Sequence, residues 1–201
     1  MRIKKAEFLK SCTQAKEFPD YTFPEFAFMG RSNVGKSSLI NMMLNRKALV
    51  KVGSKPGVTR TINFLLINDS LSVADLPGFG YAKLPRELRR TFLPLIREYI
   101  NSRDNLRIVF LLVDIRRIPD EFERDIITLL SEKGIPTVIT VTKSDKLSKN
   151  QRHARIRDIA QALLIDTDSL FMTSAKTGEG RIELLSLFET PPPKEGNNLL
   201  R

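Results

Sequence analysis

The chain has 201 residues, 41% hydrophobic and 28% charged, which suits one soluble globular domain and gives little ground for two. Its single cysteine, Cys12, excludes a disulfide framework and a cysteine-built metal centre, and its longest strongly apolar run, 108–113, is too short for a membrane span. With no signal-type N-terminus either, a cytoplasmic protein without membrane contact is expected. The net charge of +10 is uneven: residues 30–74 carry seven Lys/Arg against the one acid Asp69, a balance of +6, whereas residues 105–145 balance at −1. Such a cluster is either solvated surface or a contact for a polyanion such as RNA.

Residues 1–24 form a lead-in with Phe8, Leu9, Phe18, Tyr21 and Phe23 as anchors and no expected chemistry; Pro19 and Pro24 rule out one long helix. A domain spanning 25–189 follows, then a Pro/Gly/Asn-rich stretch, 190–201, that reads as a disordered tail. The domain opens with a strand near 25–29 and runs into Gly30-Arg31-Ser32-Asn33-Val34-Gly35-Lys36-Ser37, a complete G-x-x-x-x-G-K-S, then a helix from Ser38 to about Leu44. Strand, glycine loop and helix together make a phosphate site. The loop amides and the helix N-terminus face the phosphates, Lys36 reaches the β and γ groups, and the Ser37 hydroxyl suits Mg2+. Arg31 is a second candidate for the phosphate charge. Residues 46–61 lack a period, contain Pro56-Gly57, and read as a mobile loop.

Strand-like runs 62–67 and 71–75 flank Asn68-Asp69-Ser70, a hairpin turn that makes this pair antiparallel. The second run ends on Asp75-Leu76-Pro77-Gly78-Phe79-Gly80. A helix from about Pro85 follows, with Leu88, Phe92, Leu95, Ile96 and Tyr99 on one face and a bend at Pro94. Then come a strand at 107–114, a helix capped by Asp120 and closed near Gly134, a strand at 135–141, a helix after Ser148, a short strand at 169–172 and a last helix to about Phe188. This alternation implies an α/β fold with helices on both faces of a mostly parallel sheet, six strands with one antiparallel. His153, the only histidine, falls on an exposed helix and is assigned no chemistry.

Four loops end at the carboxyl edge of that sheet, where such folds bind ligands. Asp75 would hold Mg2+, through water, and the Gly78 amide would meet the γ-phosphate. Thr59 or Thr61 could add a second hydroxyl to the metal; their spacing does not choose between them. In Thr142-Lys143-Ser144-Asp145 the aspartate can accept both donors on one edge of guanine, a pattern adenine lacks. Lys143 can pack along the purine, and in Thr173-Ser174-Ala175 the Ala175 amide can donate to the guanine carbonyl.

These elements resemble the translation-factor-related GTPases. Within that class Gly30–Ser38, Ser54-Lys55-Pro56-Gly57-Val58-Thr59, Asn63-Phe64, the run from Asp75 through Phe79 to Ala82, and Thr142 to Leu147 resemble the EngB family. The resemblance implies a Ras-like P-loop GTPase fold, GTP and GDP as ligands with Mg2+, and Ser37 and Thr59 as metal ligands. It extends the nucleotide contacts to Ser38 and to Gly57, Val58, Arg60 and Thr61. It also implies a role in assembly of the large ribosomal subunit, with ribosomal RNA and protein as partners, needed for cell division and septation; a monomer is expected.

Phe79 stands where Ras-type proteins carry a water-orienting glutamine, so intrinsic hydrolysis is expected to be slow, as the EngB substitution implies. Asn33 is a candidate potassium ligand by its likeness to GTPases with G-x-x-N-x-G-K-S, or else merely shapes the loop; Arg60 is a weaker candidate for an internal arginine finger. Two other readings compete: an NTPase that transfers phosphoryl to a small molecule, and a GTP-locked binding module.

Overall fold

A computed structural model describes residues 1–50, 61–79 and 86–189, with backbone only over 86–93. Its seven strands are β1 (Ala6–Cys12), β2 (Glu25–Gly30), β3 (Ile62–Ile67), β4 (Leu71–Asp75), β5 (Leu106–Asp114), β6 (Thr137–Thr142) and β7 (Leu170–Met172). The helices are α1 (Lys36–Met43), α2 (Arg86–Ser102), α3 (Glu121–Glu132), α4 (Lys149–Leu163) and α5 (Arg181–Glu189). The seven strands form one sheet of order β1-β3-β4-β2-β5-β6-β7.

Only β3 runs against the rest, pairing antiparallel with both β1 and β4. Its turn into β4 places Asn68 and Asp69 at φ 50° and 54°, left-handed values that these two residue types tolerate. The seventh strand is the departure from expectation. The lead-in supplies β1, which pairs from Ala6↔Ile67 to Cys12↔Ile62 and covers the edge of β3. Its ladder register shifts between Phe8 and Lys10, and Phe8 and Leu9 remain exposed.

Alternation along β2 divides the core. Phe26 and Phe28 face α1 and α5, stacking on Phe188 and Phe110 with ring centroids 4.3 and 4.6 Å apart. Ala27 and Met29 face a second cluster built with α2, α3 and α4 through Ile96, Tyr99, Ile126 and Ile159. Each large apolar side chain so buried contributes about 1.5–3 kcal/mol relative to exposure.

The end of the sheet remote from the phosphate loop holds a buried ion pair. Arg103 donates through Nε and Nη2 to the Glu25 carboxylate, at 2.9 Å each, and Tyr21, Ser72 and Tyr99 hydroxyls donate to the same group. Glu25 is wholly buried and fully partnered, which is the condition for keeping a charge there. Burial and the adjacent carboxylate push the Tyr99 and Tyr21 hydroxyls well above their ordinary pKa.

Asp120 caps α3 in a reciprocal box with Glu123, and Ser148 and Gln151 do the same for α4. Among the described residues no helix is long and apolar enough to cross a membrane.

Candidate guanine-nucleotide site

The phosphate loop leaves β2 at Gly30 and enters α1 at Lys36. Gly35 takes φ 105°, closed to side chains, and α1 begins without a side-chain cap, so its first amides are open to an anion. Asn33 also takes a left-handed φ, 64°, which accords with a loop-shaping role for that residue. The amide of Ser32 is already engaged, donating to the Phe79 carbonyl at 2.7 Å, while the Phe79 amide donates to the Gly30 carbonyl at 3.2 Å. The segment after β4 is thereby zipped onto the phosphate loop. Leu76 and Pro77 are buried beneath it and Gly78 is exposed beside Ser32.

Phe79 itself is 2% exposed, its ring 5.0 Å from that of Phe122 on α3. It is a core side chain that anchors this segment and offers no polar group. Lys36 Nζ pairs with Asp75 Oδ1, and Asn63 Nδ2 donates to Asp75 Oδ2 at 3.2 Å. The buried carboxylate and the loop lysine are therefore neighbours, beside the start of the helix that carries Ser37 and Ser38.

Arg31 is placed differently from expectation. Its guanidinium turns away to α3, where it pairs with Glu123, 3% exposed, and with Asp120. The Glu123 bonds raise the arginine's pKa further, and its charge is paired with these carboxylates. Beside this pair lies a cleft of about 370 Å3 walled by Ser32, Asn33, Asp114, Arg116 and Glu123.

The segment 142–145 is tied to the phosphate loop by two side chains. Thr142 Oγ1 donates to the Val34 carbonyl at 2.6 Å, and Lys143 Nζ donates to the Asn33 carbonyl at 2.6 Å. Lys143 also pairs with Asp114 at 2.8 Å. Burial alone would push the Asp114 pKa up, but bonds from Arg116 and Lys143 outweigh it and hold the carboxyl at about 2.

Asp145 accepts from Ser174 Oγ at 2.7 Å, a bond that lowers its pKa, and Ser174 Oγ in turn accepts from the Lys176 and Thr177 amides at 3.2 Å. Thr173 Oγ1 is turned inward to the Val141 carbonyl, while Ala175 is exposed. Ser144 is fully buried and bonds Glu179.

The candidate residues described thus converge on one edge of the sheet. Thr61 sits just before β3 with its hydroxyl buried and unpartnered among the described residues. Gly57, Val58, Thr59, Arg60, the rest of 51–60, residues 80–85 and the 190–201 tail lie outside them. Asp114, Glu123, Arg152 and Glu179 escaped the sequence reading. Asp114 ends an apolar strand and Glu123 stands at the third position of a capped helix, but no local spacing announces their partners.

A mostly parallel sheet with a glycine phosphate loop after its first core strand, and the segment 142–145 at the end of β6, defines a Ras-like P-loop GTPase fold. Residues 25–143 match the 50S ribosome-binding GTPase family. The chain is 47% identical over 190 residues to a probable GTP-binding protein EngB of Desulforapulum autotrophicum, covering 94% of this chain and 98% of that one. It is 48% identical over 181 residues to its counterpart in Pelobacter propionicus, covering 90% of each. The chain belongs to the EngB family of GTP-binding proteins.

Among solved structures, the crystal structure of a probable EngB superposes with a TM-score of 0.67 at 28% identity, over 82% of this chain and 97% of that one. Aquifex aeolicus Era bound to GDP and aluminium fluoride gives 0.63 at 21% identity, over 90% and 60%, a likeness of fold.

Proposed function

We propose that this protein is a cytoplasmic, monomeric switch that binds and slowly hydrolyses GTP during assembly of the large ribosomal subunit, and is needed for cell division and septation. The observation that carries the reading is the match of residues 25–143, which include the phosphate loop, to the 50S ribosome-binding GTPase family; Asp145 follows just beyond that segment, after β6. The buried ring of Phe79 supports slow hydrolysis, because it brings no hydrogen-bonding group to an attacking water.

The residues fit a magnesium ion. Mg2+ takes one or two protein oxygens and completes its shell with water and phosphate, and the buried Asp75 carboxylate beside Lys36 would hold it through a water without a larger acidic cluster. Ser37 and Thr59 would provide hydroxyls, and the ion would neutralise charge on the β and γ phosphates. Asn33 is proposed as a potassium ligand near the same phosphates. Equal GTP turnover in potassium and sodium buffers would remove that role.

The reading is tested by measuring GTP turnover alone and with purified large ribosomal subunits. Stimulation by the subunit is the expected result. No turnover in either condition would indicate a nucleotide-locked module, and turnover requiring an added metabolite a phosphoryl-transfer enzyme.

A further inference from the structure

The two guanine-reading loops are joined by a closed ring of bonds through Glu179, a residue outside the nucleotide motifs. Its carboxylate accepts from Ser144 Oγ, and its main-chain carbonyl accepts from the Ser174 amide at 3.1 Å. Ser174 Oγ then donates to Asp145, the residue after Ser144, which closes the ring. Arg152 on α4 locks it from outside, with Nη1 3.2 Å from both Glu179 oxygens and Nε 3.2 Å from the Leu147 carbonyl. The turn that returns Glu179 to this place needs Gly180, at φ 77°, where a Cβ would lie 2.4 Å from the Met172 carbonyl oxygen.

We infer that Glu179 and Arg152 are positioning residues for base specificity: they hold the Asp145 carboxylate at the angle that accepts two donors from guanine. This rests on Asp145 reading the base. The pair is a quarter to a third exposed, so its direct contribution to stability is small. Its consequence is geometric. A carboxylate with a fixed plane can satisfy the ring N-H and the exocyclic amine together, whereas a rotating one satisfies them in turn. Hypoxanthine nucleotides lack the exocyclic amine and therefore lose less when the ring is opened.

The experiment is a fluorescence titration of purified full-length protein with GDP and IDP, for wild type, Glu179→Ala, Glu179→Gln, Arg152→Ala and Asp145→Ala, with thermal unfolding measured in parallel. Glu179→Ala and Arg152→Ala are expected to weaken GDP about tenfold and IDP no more than about threefold, narrowing the preference. Glu179→Gln, which keeps an acceptor for Ser144, should fall between and carries the test with Arg152→Ala if Glu179→Ala does not fold. Equal losses for both nucleotides, or an unchanged preference in the folded variants while Asp145→Ala abolishes it, would overturn the inference. A preference that survives Asp145→Ala would instead overturn the reading of Asp145.

Discussion

Lys143 Nζ donates to the main-chain carbonyl of Asn33 at 2.6 Å and pairs with Asp114 at 2.8 Å, so one ammonium fastens the segment after β6 to the phosphate loop. The contact spans 110 residues of chain and brings two recognition loops to a common distance. Lys143→Met keeps the apolar stem and removes the fastening. It should lower GDP affinity roughly 10- to 100-fold, the scale of a charge-assisted hydrogen bond, in a nucleotide titration at fixed salt.

Asp145→Asn exchanges one acceptor oxygen for an amide donor at the base edge. Affinity for GDP should fall roughly 100-fold, and xanthine nucleotides, which carry a carbonyl where guanine has its amine, should bind better than GDP. Competition between GDP and XDP reads the change directly.

Arg103→Met leaves the Glu25 carboxylate buried with only hydroxyl donors. A loss of roughly 3–5 kcal/mol is expected in urea unfolding, because an uncompensated buried charge remains. A double change, Glu25→Gln with Arg103→Met, should recover part of it. Equal stability of the single and double variants would count against the buried-charge account.

Phe79→Gln places an amide where the structure has a ring packed on Phe122. The variant should lose roughly 2–5 kcal/mol and gain no GTP turnover, since the side chain points into the core and its cavity is not filled. Faster hydrolysis at preserved stability would show that this side chain can swing to the phosphates.

Asp114 gives a defined acid response. Its pKa of about 2 in the folded chain lies below the ordinary 3.8, so its stabilising contribution is complete above about pH 4 and disappears as pH falls towards 2. The full effect is roughly 2 kcal/mol. Asp114→Asn should flatten the stability profile between pH 4 and 2, measured by denaturant unfolding at each pH.

Most of the element order could be read from local pattern. Strands 62–67 and 71–75 carry enough β-branched and apolar residues, with turn residues between them, to locate β3 and β4 residue by residue. The first strand was hidden because five of its seven residues, Glu7 to Ser11, are exposed and follow no alternation; only the free edge of β3 makes that segment a strand. The side-chain partners of Arg31 are hidden for a related reason. Its place in the phosphate loop suggests phosphate, but the nearest carboxylates belong to a helix 89 and 92 residues away.

The sequence by itself determined the motif order, the α/β alternation and the residue types at the candidate phosphate, metal and base positions, because these depend on short-range spacing and on the chemistry of individual side chains. Tertiary structure alone decided which polar groups are paired. Lys143 with Asn33, Glu25 with Arg103, and Glu179 with Ser144 and Arg152 are choices made by packing, since the cost of burying a charge or hydrogen-bonding group depends on its neighbours in space.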